Sequence, residues 1–217
     1  MSRIAAVLVA FAVLSAGLAV GSTAAAMGTG TAAAGCPKVK RPKPRSESRK
    51  PPKKLLDAHK NWTATLTTSC GSFTIRLDVK DSPHTTASFA SLARSHYFDN
   101  TIFHRVVPGF VIQGGDPTAS GTGGPGYSTV DKPPKSTRYT PGTVAMAKTG
   151  TEAAGTSGSQ FFVVTGDASF LTPDYALLGH VTKGMAVVQK IGKLGQRTEA
   201  GTPTRIVVIR SVTISSK

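Results

Sequence analysis

The sequence predicts a mainly β protein, an antiparallel barrel or sandwich capped by two helices, and three observations carry that expectation. Trp62–Val79 reads WTATLTTSCGSFTIRLDV, with β-formers alternating on both sides of Cys70 and Gly71, the pattern of a hairpin. Short apolar runs then recur between breaks bearing glycine and proline, at Phe103–Val107, Phe110–Gln113, Gly142–Lys148, Ser159–Val164, Tyr175–Val181 and Arg205–Ile214. Helical spacing occurs in two places, and strands do not alternate with helices as a parallel sheet requires.

The first helix opens at Ser82-Pro83, since proline is tolerated in the first turn. Phe89, Leu92, Ala93 and then His96 and Tyr97 follow at i, i+3, i+4 spacing. Gly184–Leu194 is a second, shorter helix, and a glycine-rich loop runs from Gly114 to about Thr140.

Before this domain, which spans 61–217, lie two segments of different texture. Residues 1–26 read as an export signal or a membrane anchor. Arg3 precedes the apolar stretch Ile4–Val20, and Ala24-Ala25-Ala26 offers a small-residue cleavage site. Residues 27–60 read as a disordered linker, because Lys38–Lys54 (KVKRPKPRSESRKPPKK) is proline-rich, self-repelling and almost without apolar residues. Of the 26 Lys and Arg, ten fall between Lys38 and Lys60 beside two acidic residues, so the net charge of +15 belongs largely to a tail. No aromatic residues interleave with that run, which argues against nucleic-acid binding and for a spacer. Contact of Lys38–Lys54 with an anionic envelope surface is the alternative that its charge suggests. The neutral stretch Gly21–Pro37 keeps the basic run away from the apolar core, which makes export compatible with the charge. The protein is therefore expected outside the cytoplasm, secreted or held on the outer face of the membrane.

Two cysteines, Cys36 and Cys70, form no C-x-x-C pair, and the five histidines are scattered, so a metal centre is not expected. Ala33-Ala34-Gly35-Cys36 resembles a bacterial lipoprotein box, which would make Cys36 a lipidation site. A disulfide with Cys70 in an oxidising compartment and a free thiol are the alternatives. Gly121–Gly126 (GTGGPG) matches a dinucleotide fingerprint literally, but Pro125 lies inside it and no helix follows, so it is a loop. Lys148-Thr149-Gly150 lacks the S-x-x-K partner that would make it catalytic.

Phe103–Asp116, FHRVVPGFVIQGGD, concentrates aromatic, His, Arg and Gln side chains around Pro108-Gly109. If Phe110–Gln113 is a regular strand, its period of two puts Phe110 and Gln113 on opposite faces. The stretch is similar to the signature of the cyclophilin family of peptidyl-prolyl cis–trans isomerases. GTGGPGYS (Gly121–Ser128), GTSGSQFFVV (Gly155–Val164) and FLTPDYALLGHV (Phe170–Val181) resemble three further blocks of that family, in its order. The resemblance covers about Ala64 to Ile214. It implies a closed eight-stranded antiparallel β-barrel with two α-helices, no cofactor, a monomer, and proline-containing polypeptides as partners.

By position, the resemblance makes Arg105 the central catalytic residue, with Phe110 and Gln113 beside it. Phe110, Val111, Phe162 and Leu171 would form a proline pocket, and His104, Ala147, Gln160, Phe170 and Tyr175 would line the peptide groove. Val111 stands where Met is common, Lys148 where Asn is, and Phe170 and Tyr175 where Trp and His are. The change to Phe170, familiar in bacterial members, implies weak cyclosporin binding at most.

Overall fold

The computed structural model describes residues 35–217, so the expected signal or anchor over 1–26 and Ala33 and Ala34 of the lipobox motif lie outside the described residues. Among the described residues no helix is long and apolar enough to cross a membrane.

The predicted hairpin forms as β1 (Trp62–Thr68) and β2 (Gly71–Leu77), with Thr68 opposite Gly71 across its turn. Helix α1 (Pro83–Arg94) starts on Pro83, and its N-cap residue Ser82 makes no side-chain cap. The first-turn N–H of Thr85 donates instead to the Asp131 carboxylate at 2.6 Å, placing an anion where the helix dipole favours one. Phe89, Leu92 and Ala93 are buried, as the spacing predicts. The helix stops before His96, whose φ of 58° is left-handed, and the chain turns to bury Tyr97.

Seven short strands follow: β3 (Thr101–Ile102), β4 (Arg105–Val107), β5 (Val111–Gly114), β6 (Thr129–Val130), β7 (Thr143–Met146), β8 (Thr156–Ser157) and β9 (Phe161–Val164). Then come β10 (Leu177–Lys183), α2 (Met185–Gly192) and β11 (Val208–Ser216). Nine strands form one antiparallel sheet in the order β3-β11-β1-β2-β10-β7-β9-β5-β4, and β6 pairs with β8 in a small second sheet. The sheet curls so that its two edges belong to adjacent strands of the chain. No hydrogen-bonded ladder joins β3 to β4, so the expected closed barrel is corrected to a curled sheet that stays open at this seam. The segment predicted as one strand over Phe103–Val107 is broken there. Phe103 donates its N–H to Val207 on one side, and β4 pairs only with β5 on the other. Counting β3 and β4 as one bent strand recovers the expected eight.

The sheet has two apolar faces. Phe73, Ile75, Val106, Ile112, Val144, Phe161 and Val163 point inward with α1 and α2 into the main core. There Phe161 stands edge-on to Phe89, Phe98 and Phe103. Their sequence neighbours Val111, Ala145, Phe162 and Val164 point outward and form a second, smaller cluster with Tyr139 and Ala168. That outer cluster is the floor of the site.

The linker expected over 27–60 differs where it is described. Residues 35–60 contain no helix or strand, yet they run as a strap against the domain. Cys36 is bonded to Cys70 and is 2% exposed, with a Cα–Cα distance of 4.7 Å. This pairing is the disulfide alternative to lipidation of Cys36, and the two compete for one sulfur. Arg45 and Arg49 donate main-chain N–H groups to the carbonyls of Pro117 and Pro125, at 3.0 and 2.8 Å. The low apolar content that predicts disorder is offset by hydrogen bonds, ion pairs and one covalent link.

Candidate active site

Three sequence features bring Arg105, Phe110 and Gln113 together. β4 and β5 pair so that Arg105 lies directly opposite Gln113, which puts both side chains on the outer face. Between the strands, Val107-Pro108-Gly109-Phe110 closes a turn with Phe110 donating its N–H to the Val107 carbonyl at 3.0 Å. Proline at the second position and Gly109 at φ 77° give the turn its type II character, and the left-handed backbone there favours glycine. Phe110 thus belongs to the turn, not to the strand. The period-two conflict with Gln113 disappears, since the period applies only from Val111 onward.

Arg105 is held by two partners. Its Nε donates to the Glu199 carbonyl at 3.0 Å, and its Nη1 donates to Gln113 Oε1 at 3.4 Å. The guanidinium also lies 5.9 Å from the centre of the Phe110 ring, within cation–π range. Beside it opens a cavity of about 550 Å³ whose lining includes Phe110, Val111, Phe162, Leu171 and Tyr175. The floor is rigid for a reason legible in the register. Val111 faces Val164, Gln113 faces Phe162, and Phe162 faces Ala145.

The rim is aromatic. Phe170 is 67% exposed and its ring lies 5.0 Å from that of Phe110. Tyr175 stands edge-on to Phe162 at 5.5 Å. Its backbone is clasped by Tyr139, whose hydroxyl donates to the Tyr175 carbonyl at 2.7 Å and accepts from its N–H at 3.0 Å. Burial pushes the Tyr139 hydroxyl up to about 12, so it stays a neutral donor.

A second cavity of about 610 Å³ adjoins the first and shares Gln113, Ala147 and Lys148 with it. Its outer wall is the glycine-rich loop Gly121–Ser128. A relay of amides connects that wall to the arginine. Gln160 Nε2 donates to the carbonyls of Gly121 and Gly123 at 2.9 and 3.0 Å, and Gln113 Nε2 donates to Gln160 Oε1 at 3.1 Å. Gln113 then offers its remaining oxygen to Arg105. The loop itself is wound on Asp116, whose carboxylate accepts the N–H groups of Thr118, Ser120, Gly121 and Gly123. A β-carbon on Gly123 would sit 2.0 Å from Asp116 Oδ1, so only glycine allows this approach. Burial pushes the Asp116 carboxyl up, but the hydrogen bonds from Thr118, Gly121 and Gly123 outweigh it and hold it below the usual range.

Ten of the expected site residues line one or both cavities: Arg105, Phe110, Val111, Gln113, Ala147, Gln160, Phe162, Phe170, Leu171 and Tyr175. His104 does not. Its ring lies beneath Gly121, a residue of the second cavity's wall, without lining either cavity itself. Burial lowers its pKa, against the nearby Asp116 charge that raises it. His104 thus stands behind the loop, because β4 begins only at Arg105 and His104 precedes it. Sequence reasoning missed Arg197, Thr198 and Glu199, which complete the far wall of the first cavity. No motif marks them, for they come from an irregular loop after α2 that reaches Arg105 only through the fold. Tyr139 was also missed, and its buried hydroxyl has no periodic signal.

The profile of the cyclophilin type peptidyl-prolyl cis-trans isomerase/CLD family matches residues 63–214. Peptidyl-prolyl cis-trans isomerase B of Streptomyces anulatus is 36% identical over 172 residues, covering 71% of this chain and 97% of its own. Peptidyl-prolyl cis-trans isomerase A of Mycobacterium tuberculosis is 38% identical, covering 70% and 92%. A crystal structure of a Cryptosporidium parvum cyclophilin type isomerase, determined in the presence of the dipeptide Ala-Pro, superposes with a TM-score of 0.65 at 28% identity, covering 71% of this chain and 99% of that one. With the same curled sheet, two helices and a family match from 63 to 214, the chain belongs to the cyclophilin-type peptidyl-prolyl cis–trans isomerases and is an enzyme of that activity.

Proposed function

We propose that the enzyme isomerises X-Pro bonds of proteins outside the cytoplasm, as a folding catalyst, with Arg105 as its catalytic residue. The observation that carries the mechanism is a tethered guanidinium at the lip of an apolar pocket floored by Val111 and Phe162.

An X-Pro bond isomerises slowly because twisting the amide breaks its resonance, a barrier of about 18–20 kcal/mol. No nucleophile is needed. The twisted state loses C–N double-bond character, and the proline nitrogen becomes pyramidal with a lone pair that accepts a hydrogen bond. A donor fixed toward that nitrogen favours the twisted state over both planar ones, which is differential stabilisation of the transition state. Arg105 suits this task because it is always charged and its fork is already oriented by Glu199 and Gln113. The pocket strips water from the prolyl ring, which strengthens the interaction. Gln113 steadies the guanidinium and stands within the same groove to meet the substrate carbonyl.

Residence outside the cytoplasm is supported by the Cys36–Cys70 disulfide, a bond that persists in oxidising compartments, together with the apolar start of the sequence. Proline-containing polypeptides are the substrates, and the chain acts as a monomer. Phe170 has no N–H to donate at the rim, which supports weak cyclosporin binding. Lys38, Lys40, Lys43, Lys50, Lys53 and Lys54 are exposed, which supports contact between the strap and an anionic envelope surface.

The test is Arg105→Ala on a prolyl peptide. Loss of about 10²-fold in kcat/KM, the scale of removing one preorganised donor, is expected in a chain that stays folded. A folded variant with wild-type rates would overturn the mechanism.

A further inference from the structure

The strap lies outside the region that matches the family, and its partners are concentrated on one element. Main-chain N–H groups of Arg45 and Arg49 donate to the Pro117 and Pro125 carbonyls, and Arg41 Nη2 donates to the Ala119 carbonyl at 3.4 Å. These three carbonyls bracket Gly121 and Gly123, the part of the glycine-rich loop that Gln160 holds. Four residues of extended chain span at most about 14 Å, so the two main-chain bonds limit how far the ends of the loop can separate. Ser48, between them, packs against Gly126, its Oγ 3.1 Å from where a side chain there would begin.

The strap segment is stiffened on its own side. Glu47 pairs with Arg45 through Nε at 2.8 Å and with Arg49 through Nη2. Arg45 Nη2 also donates to the Tyr97 carbonyl at 2.5 Å, and the Arg49 guanidinium lies 5.9 Å from the Tyr97 ring centre. Side chains alternate, with Arg45, Glu47 and Arg49 half-buried and Ser46, Ser48 and Lys50 exposed. Both ends are tied down as well. Cys36 is bonded to Cys70 and its carbonyl accepts from Arg205, while Leu56 is buried and the Asp57 carbonyl accepts from Trp62 Nε1 at 2.9 Å.

We propose that residues 45–49 are a positioning element for the glycine-rich loop, fixing the wall of the second cavity and so the affinity for peptide residues on the flank of the proline that this cavity receives. The route runs from the strap to the loop carbonyls of Gly121 and Gly123, which Gln160 reads and passes to Gln113. None of the strap side chains enters either cavity, so the element acts on binding through the loop and not on the reacting bond. The inference rests on the groove assigned above, and an extended peptide is expected to lie across both cavities through their shared residues Gln113 and Ala147.

Two variants of the full chain test it. Arg49→Pro removes the N–H that Pro125 accepts, and Cys36→Ser/Cys70→Ser releases the strap from its covalent tie. Amide hydrogen exchange at Gly121 and Gly123 should quicken by about tenfold in each, and in Arg49→Pro the amides of β1, β2 and β11 should keep their wild-type protection, as expected for a local opening. KM for a peptide extended on both sides of proline should rise several-fold with kcat unchanged, and turnover of a short Ala-Pro probe should not change. Wild-type exchange and KM in both variants would overturn the strap's role, as would an equal loss on long and short substrates. Arg105→Ala reports on the groove separately, because it leaves loop exchange untouched.

Discussion

At Asp116 one carboxylate takes four main-chain N–H groups and the Thr118 hydroxyl, and thereby winds the loop that faces the substrate. An asparagine there would present an amide N–H₂ to groups that are themselves donors. Asp116→Asn should therefore cost about 1–3 kcal/mol, the penalty of leaving buried donors unmatched, measured by urea unfolding. The pH dependence has a definite sign. The folded carboxyl titrates below its ordinary value of 3.8, so its stabilisation is complete above that value and is lost as pH falls through the folded one. Wild type and Asp116→Asn should converge in stability as the pH is lowered through this window. His104 acts in the same direction from a higher starting point. Burial favours its neutral form, so protonating it costs stability as pH falls from about its ordinary 6.5 toward the folded value.

Among the elements, the β4–β5 hairpin was readable in composition but not in geometry. Its residues Arg105, Phe110 and Gln113 could be named from FHRVVPGFVIQGGD, yet strand periodicity separated two of them until Pro108-Gly109 was seen to form a turn that includes Phe110. The seam between β3 and β4 was not readable, since Phe103 is as apolar as any strand residue and only its neighbours decide which edge it joins. The strap is the element where composition misleads most. Proline and like charge forbid a core, but they do not forbid hydrogen bonds to a loop that offers free carbonyls. Its covalent tie spans a sequence separation of 34. On the chain-entropy account, a loop of that size restrains the unfolded state by about 4 kcal/mol. Cys36→Ser/Cys70→Ser should lower unfolding stability by about 2–4 kcal/mol, which denaturant titration of oxidised wild type against the variant measures. An unchanged midpoint would mean that the hydrogen bonds hold the strap without the disulfide.

For the whole molecule, charge and covalent chemistry are divided between its parts. The folded region carries a modest excess of positive charge, while the strap adds a dense one and holds its lysines outward. Intact mass of the protein taken from its native envelope should correspond to cleavage after Ala26 with one internal disulfide and no lipid, and salt should release the protein from envelopes. A diacylglycerol adduct on Cys36, or retention that salt leaves unchanged, would refute that assignment.

The sequence by itself determined the fold class, both helices and the first hairpin, because local periodicity is a property of neighbouring residues, while the groove residues were named by position from four blocks of family resemblance. Only the tertiary structure decided that His104 sits behind the loop, that Glu199 holds Arg105, that Tyr139 clasps Tyr175, and that Cys36 is spent in a bond to Cys70. Each of those pairs joins segments far apart in the chain, and a contact made by chain closure leaves no trace in the spacing of either partner.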